Sequence, residues 1–85
     1  MRTVMVYREE SDHRMDVETF LRDFKHQTGK ELEIIDPDTR EGASFCRVQD
    51  IVEYPTIIAV GPEGEPVQVW RGLPLPTISE VSFYI

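Results

Sequence analysis

The chain has 85 residues and a formal net charge of −7, which indicates one small acidic domain over residues 1–85. An acidic surface repels phosphate backbones and anionic lipids, so we expect no nucleic-acid binding and no membrane binding. The single cysteine, Cys46, cannot form an intramolecular disulfide, which is typical of a reducing compartment and favours a cytoplasmic location. The amino-terminal residues lack the apolar core of a signal peptide, and no apolar run has the length of a membrane helix.

The first part of the chain has the pattern of strand, helix and strand. Thr3 to Tyr7 form a short apolar, β-branched and aromatic run, and Glu31 to Ile35 form a second one. Between them we expect a helix capped by Ser11 or Asp12 and ended by Gly29 in a left-handed conformation. The residues spaced as one buried face of this helix are Val17, Phe20, Leu21 and Phe24.

A second helix is predicted after the DPD turn. Asp38 and Glu41 have the spacing of a capping box, in which a side chain at the helix start and an acid three residues later satisfy free backbone amides. The helix is expected to bury three apolar residues, namely Phe45, Val48 and Val52.

The last part of the chain predicts a hairpin and a short helix. Thr56 to Val60 form a third strand headed by Pro55, and Val67 to Arg71 form a fourth. The connection through GPEGEP is too short for a crossover, so these two strands should be antiparallel. Thr77 and Glu80 repeat the capping-box pattern. The apolar face of the final helix would contain Ile78, Val81 and Ile85.

The element order is therefore β-α-β-α-β-β-α. A strand-helix-strand start implies a parallel crossover, and a short hairpin follows later in the chain. We predict an α/β fold with a mixed four-stranded sheet and helices on both faces. Trp70 is expected to pack against the sheet rather than to stand in solvent.

The segment IVEYPT, followed by a hairpin and VQVWRGLP, resembles the thioredoxin fold. In that family a cis proline opens the third strand, and Tyr54, Pro55 and Thr56 match the pattern of an apolar residue, proline and threonine. Arg71 and Gly72 lie where the family often has a glycine after the fourth strand. The resemblance implies that the backbone beside Pro55 binds extended substrates, with Tyr54, Pro55 and Arg71 as the partner-binding residues.

The redox chemistry of that family is missing from the expected place. Thioredoxins carry Cys-x-x-Cys at the start of the helix after the first strand, where the helix amino terminus stabilises a thiolate. Here the segment is SDHRM, and its two possible registers put Ser11 with Arg14, or Asp12 with Met15, at the cysteine positions. We therefore assign no catalytic residue and expect no cofactor.

Three other groups of residues are candidates for a site. Cys46 lies among core positions of the second helix, where a free cysteine usually behaves as a small apolar residue. His13 and His26 lie near opposite ends of the first helix and cannot share one metal ion, so no metal site is predicted. The acidic residues around the start of that helix complement its positive end and could also face a basic partner; they are Glu9, Glu10, Asp12 and Asp16.

The leading functional hypothesis is a redox-inactive domain that binds an unidentified protein partner. Its docking edge would combine the Pro55 loop, the start of the first helix and the RGLP segment. One alternative is a thiol oxidoreductase that uses Cys46 alone. Another is a structural subunit, including a homodimer formed through a sheet edge.

Overall fold

A computed structural model describes residues 1–85 as one four-stranded sheet with the strand order β2-β1-β3-β4, flanked by three helices. The elements in chain order are β1 (Arg2–Val6), α1 (Arg14–Thr28), β2 (Glu33–Ile35), α2 (Arg40–Val48), β3 (Thr56–Val60), β4 (Pro66–Arg71) and α3 (Ile78–Ser82).

The strand pairing makes the sheet mixed, as predicted. β1 runs parallel to β2 and antiparallel to β3, and β3 runs antiparallel to β4. The hairpin between β3 and β4 is closed by a hydrogen bond from the amide of Gly61 to the carbonyl of Glu65. β2 is shorter than the predicted Glu31 to Ile35, because Leu32 packs into the core beside α1 instead of pairing in the sheet.

The two faces of the sheet carry separate apolar cores, which confirms helices on both faces. Side chains alternate along β1, so Met5 points to the face covered by α1 and α3, and Val4 points to the face covered by α2. β3 is buried along its whole length because it lies inside the sheet and is covered on both faces. Trp70 is half-buried against the α1 and α3 core, in agreement with the sequence.

The start of α1 differs from the prediction. The residue that precedes the helix is His13, and its side chain makes no capping hydrogen bond. Ser11 uses its hydroxyl to donate to the carbonyl of Arg8, and Asp12 is exposed. Neither predicted residue therefore caps the helix, because the hydroxyl of Ser11 bonds within the loop that follows β1. The predicted end is confirmed, because Gly29 has φ 72° and donates its amide to the carbonyl of Lys25.

The start of α2 also lies one residue later than predicted. Thr39 caps the helix by accepting the amide of Gly42 at 3.0 Å. Asp38 is not the cap because its carboxylate pairs with Arg8, at 3.1 Å from the guanidinium Nε. The capping box of Asp38 with Glu41 is therefore wrong.

Two residues that were predicted to be in the core are exposed at the end of α2. Val48 and Val52 are 74% and 82% exposed, whereas Ile51 is buried. Asp50 adopts φ 57° just after the helix and turns the chain, so the helical spacing stops before Val52. Cys46 is buried, in agreement with the sequence.

The last helix begins as predicted. Thr77 accepts the amide of Glu80, and Glu80 accepts the amide of Thr77, which completes the capping box. Val81 is fully buried and Ile78 packs partly against the same core. Ile85 lies beyond the end of α3 and is 42% exposed, so it does not extend the buried face.

Candidate functional site

The loop before β3 presents a backbone segment without internal partners. The Tyr54–Pro55 peptide bond is cis. Neither the amide nor the carbonyl of Tyr54 makes a hydrogen bond within the chain. The next carbonyl, that of Pro55, accepts the amide of Gly72 at 2.7 Å and so ties this loop to the end of β4. The loop is therefore held in place on one side, while the amide and the carbonyl of Tyr54 remain unpaired.

Arg71 stands beside this loop at the end of an edge strand. It is paired in register with Thr56, so their side chains share the face of the sheet that α2 covers. Arg71 is exposed and forms no ion pair. The following glycine lies close to Glu53, because a Cβ at Gly72 would meet the Glu53 carboxylate. The three predicted partner-binding residues thus lie together at one end of the sheet.

The ring of Tyr54 points towards α2 and contacts a residue that the sequence did not single out. The guanidinium carbon of Arg8 lies 4.8 Å from the centroid of the Tyr54 ring, in a cation–π arrangement. Arg8 also pairs with Asp38 at the start of α2. It therefore links the end of β1, the Tyr54 loop and α2. The available signal was one basic residue directly after a strand in an otherwise acidic segment.

The start of α1 lies at the same end of the sheet and contacts Arg8. The backbone amide of Arg8 donates to Nε2 of His13 at 3.3 Å, and the ring of His13 lies edge-on to Tyr7 at 6.3 Å between centroids. The Tyr54 loop therefore contacts both the segment from Arg8 to His13 and the end of β4. We call the surface between these three segments the Tyr54 groove.

Comparison with solved structures identifies the fold. Thioredoxin 1 from the thermophilic eubacterium Thermosipho africanus TCF52B matches with a TM-score of 0.64 and 17% sequence identity, over 95% of this chain and 85% of that chain. The chain has the thioredoxin-like fold. At this level of identity the likeness concerns the fold and does not carry over an activity. No protein-family model matches the sequence, and no curated protein matches it either.

Residues 11–15, where the sequence resemblance leads us to expect the redox motif, form an ordinary loop and helix start. Ser11 donates to a backbone carbonyl and Asp12 is exposed, while Arg14 pairs with Glu18 along α1. Met15 is exposed in the first turn of the helix. None of the four positions offers a thiol, and the nearby acidic side chains leave this helix start poorly suited to an anion.

The one thiol of this thioredoxin-like chain lies on the other side of the sheet, in α2. Cys46 is only 5% exposed and belongs to the core formed by β1, α2 and β3. Burial raises the pKa of its thiol, and two weaker effects oppose this rise: the nearby hydroxyl of Tyr54 and the positive charge of Arg8. Cys46 is therefore a protonated and shielded thiol near neutral pH.

The rest of the structure adds two observations about ligands and membranes. No three His, Cys, Asp or Glu side chains come together in a way that could hold a metal ion. None of the three helices combines the length and the apolar character needed to cross a bilayer.

Proposed function

We propose that this chain is a redox-inactive thioredoxin-like domain that binds an extended segment of a partner protein in the Tyr54 groove. The observation that carries the proposal is the open backbone of Tyr54, whose amide and carbonyl have no partner within the chain. An extended peptide can use such groups by forming strand-like hydrogen bonds, which give affinity without requiring a particular sequence.

Arg71 supports this proposal as a polar contact for the bound segment. Its side chain is exposed at the end of β4 and has no carboxylate partner in the chain. Because a guanidinium carries five donors, it can bind a carbonyl or a carboxylate of a peptide that lies beside the Tyr54 loop. The fixed bond between Gly72 and Pro55 would keep Arg71 at a constant distance from that loop.

A thiol oxidoreductase that uses Cys46 is not favoured. A nucleophilic thiol has to be accessible and partly ionised, whereas Cys46 is buried and burial raises its pKa. The reducible bond of a substrate would also have to enter the core between α2 and the sheet. The position of Cys46 therefore supports a packing role.

A homodimer through the β4 edge is not favoured either. Pro66 has no amide to donate, and the amide of Val69 is occupied by the side-chain carbonyl of Gln68 at 3.0 Å. The amide of Val69 points away from β3, because hydrogen bonds to one neighbouring strand alternate along an antiparallel strand. An edge strand with a proline and with an amide already bonded to a side chain is a poor template for another strand.

Hydrogen exchange of the Tyr54 amide tests the proposal directly. This amide should exchange quickly in the free protein, since it lacks a partner, and slowly once a partner captured from native lysate is bound. Arg71→Ala should weaken that complex, whereas Arg47→Ala serves as the matched control because Arg47 is an exposed arginine on α2. An unprotected Tyr54 amide in the complex, or equal effects of the two substitutions, would refute the groove.

A further inference from the structure

A second concave surface lies between α1 and the segment that follows β4. Its helical side contains Asp16, Phe20 and Asp23, and its other side is formed by residues 73–76, with the sequence LPLP. We call this surface the α1 groove. It begins next to the Tyr54 groove, because Gly72, which is bonded to Pro55, directly precedes Leu73.

The floor and one wall of the α1 groove are apolar. Phe20 belongs to the core beneath it, and Leu75 packs partly against that core. Leu73 is 52% exposed, although it stands among two prolines and another leucine. Apolar side chains grouped along one side of a groove offer a partner surface that can be removed from water.

The helical wall carries two carboxylates with a fixed spacing. Asp16 and Asp23 are seven residues apart, so they share one face of α1 and are separated by about 10.5 Å along its axis. Asp16 makes no ion pair, and the only one made by Asp23 is a 3.6 Å contact with the neighbouring Arg22 at the exposed surface. No basic residue lines the groove itself.

Helix electrostatics explains only one of these two acids. Asp16 lies in the first turn of α1, where a negative charge complements the helix amino terminus. Asp23 lies in the second half of the helix, beyond the reach of that effect, which falls off within one turn. Helix stability therefore does not account for the position of Asp23, which lies on the same face of α1 as Asp16 and faces an apolar wall.

We propose that the α1 groove binds a basic, apolar segment of the partner protein, in which two cationic side chains flank apolar residues. The inference rests on the proposed function, because the segment would be the continuation of the peptide bound in the Tyr54 groove. Its two cations would pair with Asp16 and Asp23, and its apolar side chains would cover Leu73. An overall charge of −7 favours the approach of such a segment.

The spacing of the two carboxylates sets the spacing of the cations. In an extended polyproline II segment the rise is about 3.1 Å per residue with three residues per turn, so side chains three apart share a face about 9 Å apart. This spacing is close to the separation of the two aspartates, and the length of an arginine side chain covers the difference. The expected pattern is a basic residue, two apolar residues and a second basic residue.

The test uses the peptide acetyl-Gly-Arg-Leu-Leu-Arg-Gly-amide as the probe, with amide chemical shifts of the full chain as the readout. We expect shifts to cluster at the α1 groove and to saturate with a Kd below about 1 mM at low salt. Replacing both arginines of the probe by glutamate should abolish binding. Raising the salt concentration well above physiological levels should weaken it, because exposed charge pairs are screened.

Substitutions of matched charge identify the site. The double variant Asp16→Asn with Asp23→Asn should raise the Kd about three- to tenfold, as expected for two exposed ion pairs. The control double variant Glu41→Gln with Glu63→Gln removes the same net charge from exposed positions outside the groove and should leave the Kd within about twofold. Amide spectra of all variants should keep the native dispersion, since every replaced side chain except the half-buried Asp23 is exposed.

Four results would overturn the inference: no saturable shift with the arginine peptide, equal binding of the glutamate peptide, equal effects of the two double variants, or groove shifts that depend on protein concentration alone. The last result would mean that a second copy of the chain covers the groove. The proposed function is tested separately, by the protection of the Tyr54 amide. Protection of that amide by the captured partner, together with an inert α1 groove, would leave the proposed function standing and remove only this inference.

Discussion

Arg8 shows at the residue scale how the fold assembles a surface from distant parts of the chain. Its guanidinium contacts the ring of Tyr54 and the carboxylate of Asp38, and its amide reaches His13. The contacts with Tyr54 and Asp38 join residues far apart in sequence, so no local pattern reveals them. The sequence indicated the Tyr54 loop through its proline motif, but it could not indicate that Arg8 would cover the ring.

The thiol of Cys46 provides a prediction at this scale. Because the hydroxyl of Tyr54 opposes the rise in its pKa that burial causes, Tyr54→Phe should raise the pKa of Cys46 further. Thiolate absorbance during a pH titration of the folded protein measures this change. Tyr84→Phe is the control, since Tyr84 packs against Trp70 and not against the core that contains Cys46. A lower thiol pKa in Tyr54→Phe would contradict the assigned role of the hydroxyl.

The pair of Arg2 and Glu33 gives a pH-dependent prediction. Both guanidinium contacts are 2.6 Å, and the hydrogen bond from Arg2 lowers the pKa of Glu33. A carboxylate whose folded pKa is depressed stabilises the fold above its unfolded pKa, near 4.3, and loses this contribution as the pH falls through the folded value. Both side chains are nearly half exposed, so the contribution at neutral pH should stay below about 1 kcal/mol.

The measurement compares Arg2→Gln with Arg40→Gln, which removes an exposed arginine that has no ion pair. Carboxylate carbon shifts should show a higher Glu33 pKa only in Arg2→Gln. Urea unfolding should show the small loss of stability at neutral pH and no loss at a pH below the folded pKa of Glu33. A stability difference that persists in acid would mean that Arg2 acts through packing, for instance through its contact with Phe45.

At the scale of elements, the end of α2 shows where helical periodicity stops being informative. The amide of Ile51 reaches back to the carbonyl of Cys46 at 2.8 Å, and the amide of Asp50 reaches the carbonyl of Arg47. This is the Schellman arrangement, with Asp50 at the left-handed position that glycine usually occupies. An aspartate is a weak sequence signal for such a helix end, so the apolar spacing wrongly predicted that the helix extends to Val52. At the end of α1, Gly29 gave the correct signal.

Gly42 in the first turn of α2 gives a prediction at this scale. Alanine is ordinarily favoured over glycine in a helix by about 1 kcal/mol. Here a Cβ at Gly42 would overlap the carbonyl oxygen of Asp36, because the turn before the helix folds closely over this position. We therefore expect Gly42→Ala to destabilise the domain by about 1–3 kcal/mol, as overpacked sites do.

Denaturant unfolding of Gly42→Ala beside Ser44→Ala measures this effect. Ser44 is an exposed position in the same helix, so its replacement by alanine should be neutral or slightly stabilising. A Gly42→Ala variant as stable as the parent would show that the turn at Asp36 moves aside at little cost.

At the scale of the whole molecule, local patterns were enough to predict the order of the elements and the direction of two strand pairings, β1 with β2 and β3 with β4, but not the antiparallel pairing of β1 with β3. A strand of five buried residues with Pro55 at its head, and a hairpin too short for a crossover, left few arrangements for the sheet. The placement of the α1 groove was not predictable in this way. It depends on where the chain goes after Gly72, and side chains from α1 and from residues 73–76 meet there only through the tertiary fold.

Electron counting sets the expectation for redox chemistry of the whole chain. Reduction of a disulfide consumes two electrons, which a dithiol supplies by forming its own disulfide. A single thiol can go only as far as a mixed disulfide and then needs a second thiol from elsewhere. This chain has one cysteine, which is buried and has a raised pKa, so even the first step should be slow.

We therefore expect the protein to leave the rate of insulin reduction by dithiothreitol unchanged. The turbidity that marks precipitation of the reduced insulin chains should develop as in the protein-free blank, and Cys46→Ser should behave like the parent. A thiol reagent should label Cys46 at least about tenfold more slowly in the folded protein than in denaturant, because only the accessible thiolate reacts. Acceleration of insulin reduction that disappears in Cys46→Ser would refute redox inactivity. It would require an opening of the core between α2 and the sheet, which rapid labelling of Cys46 under native conditions would show independently.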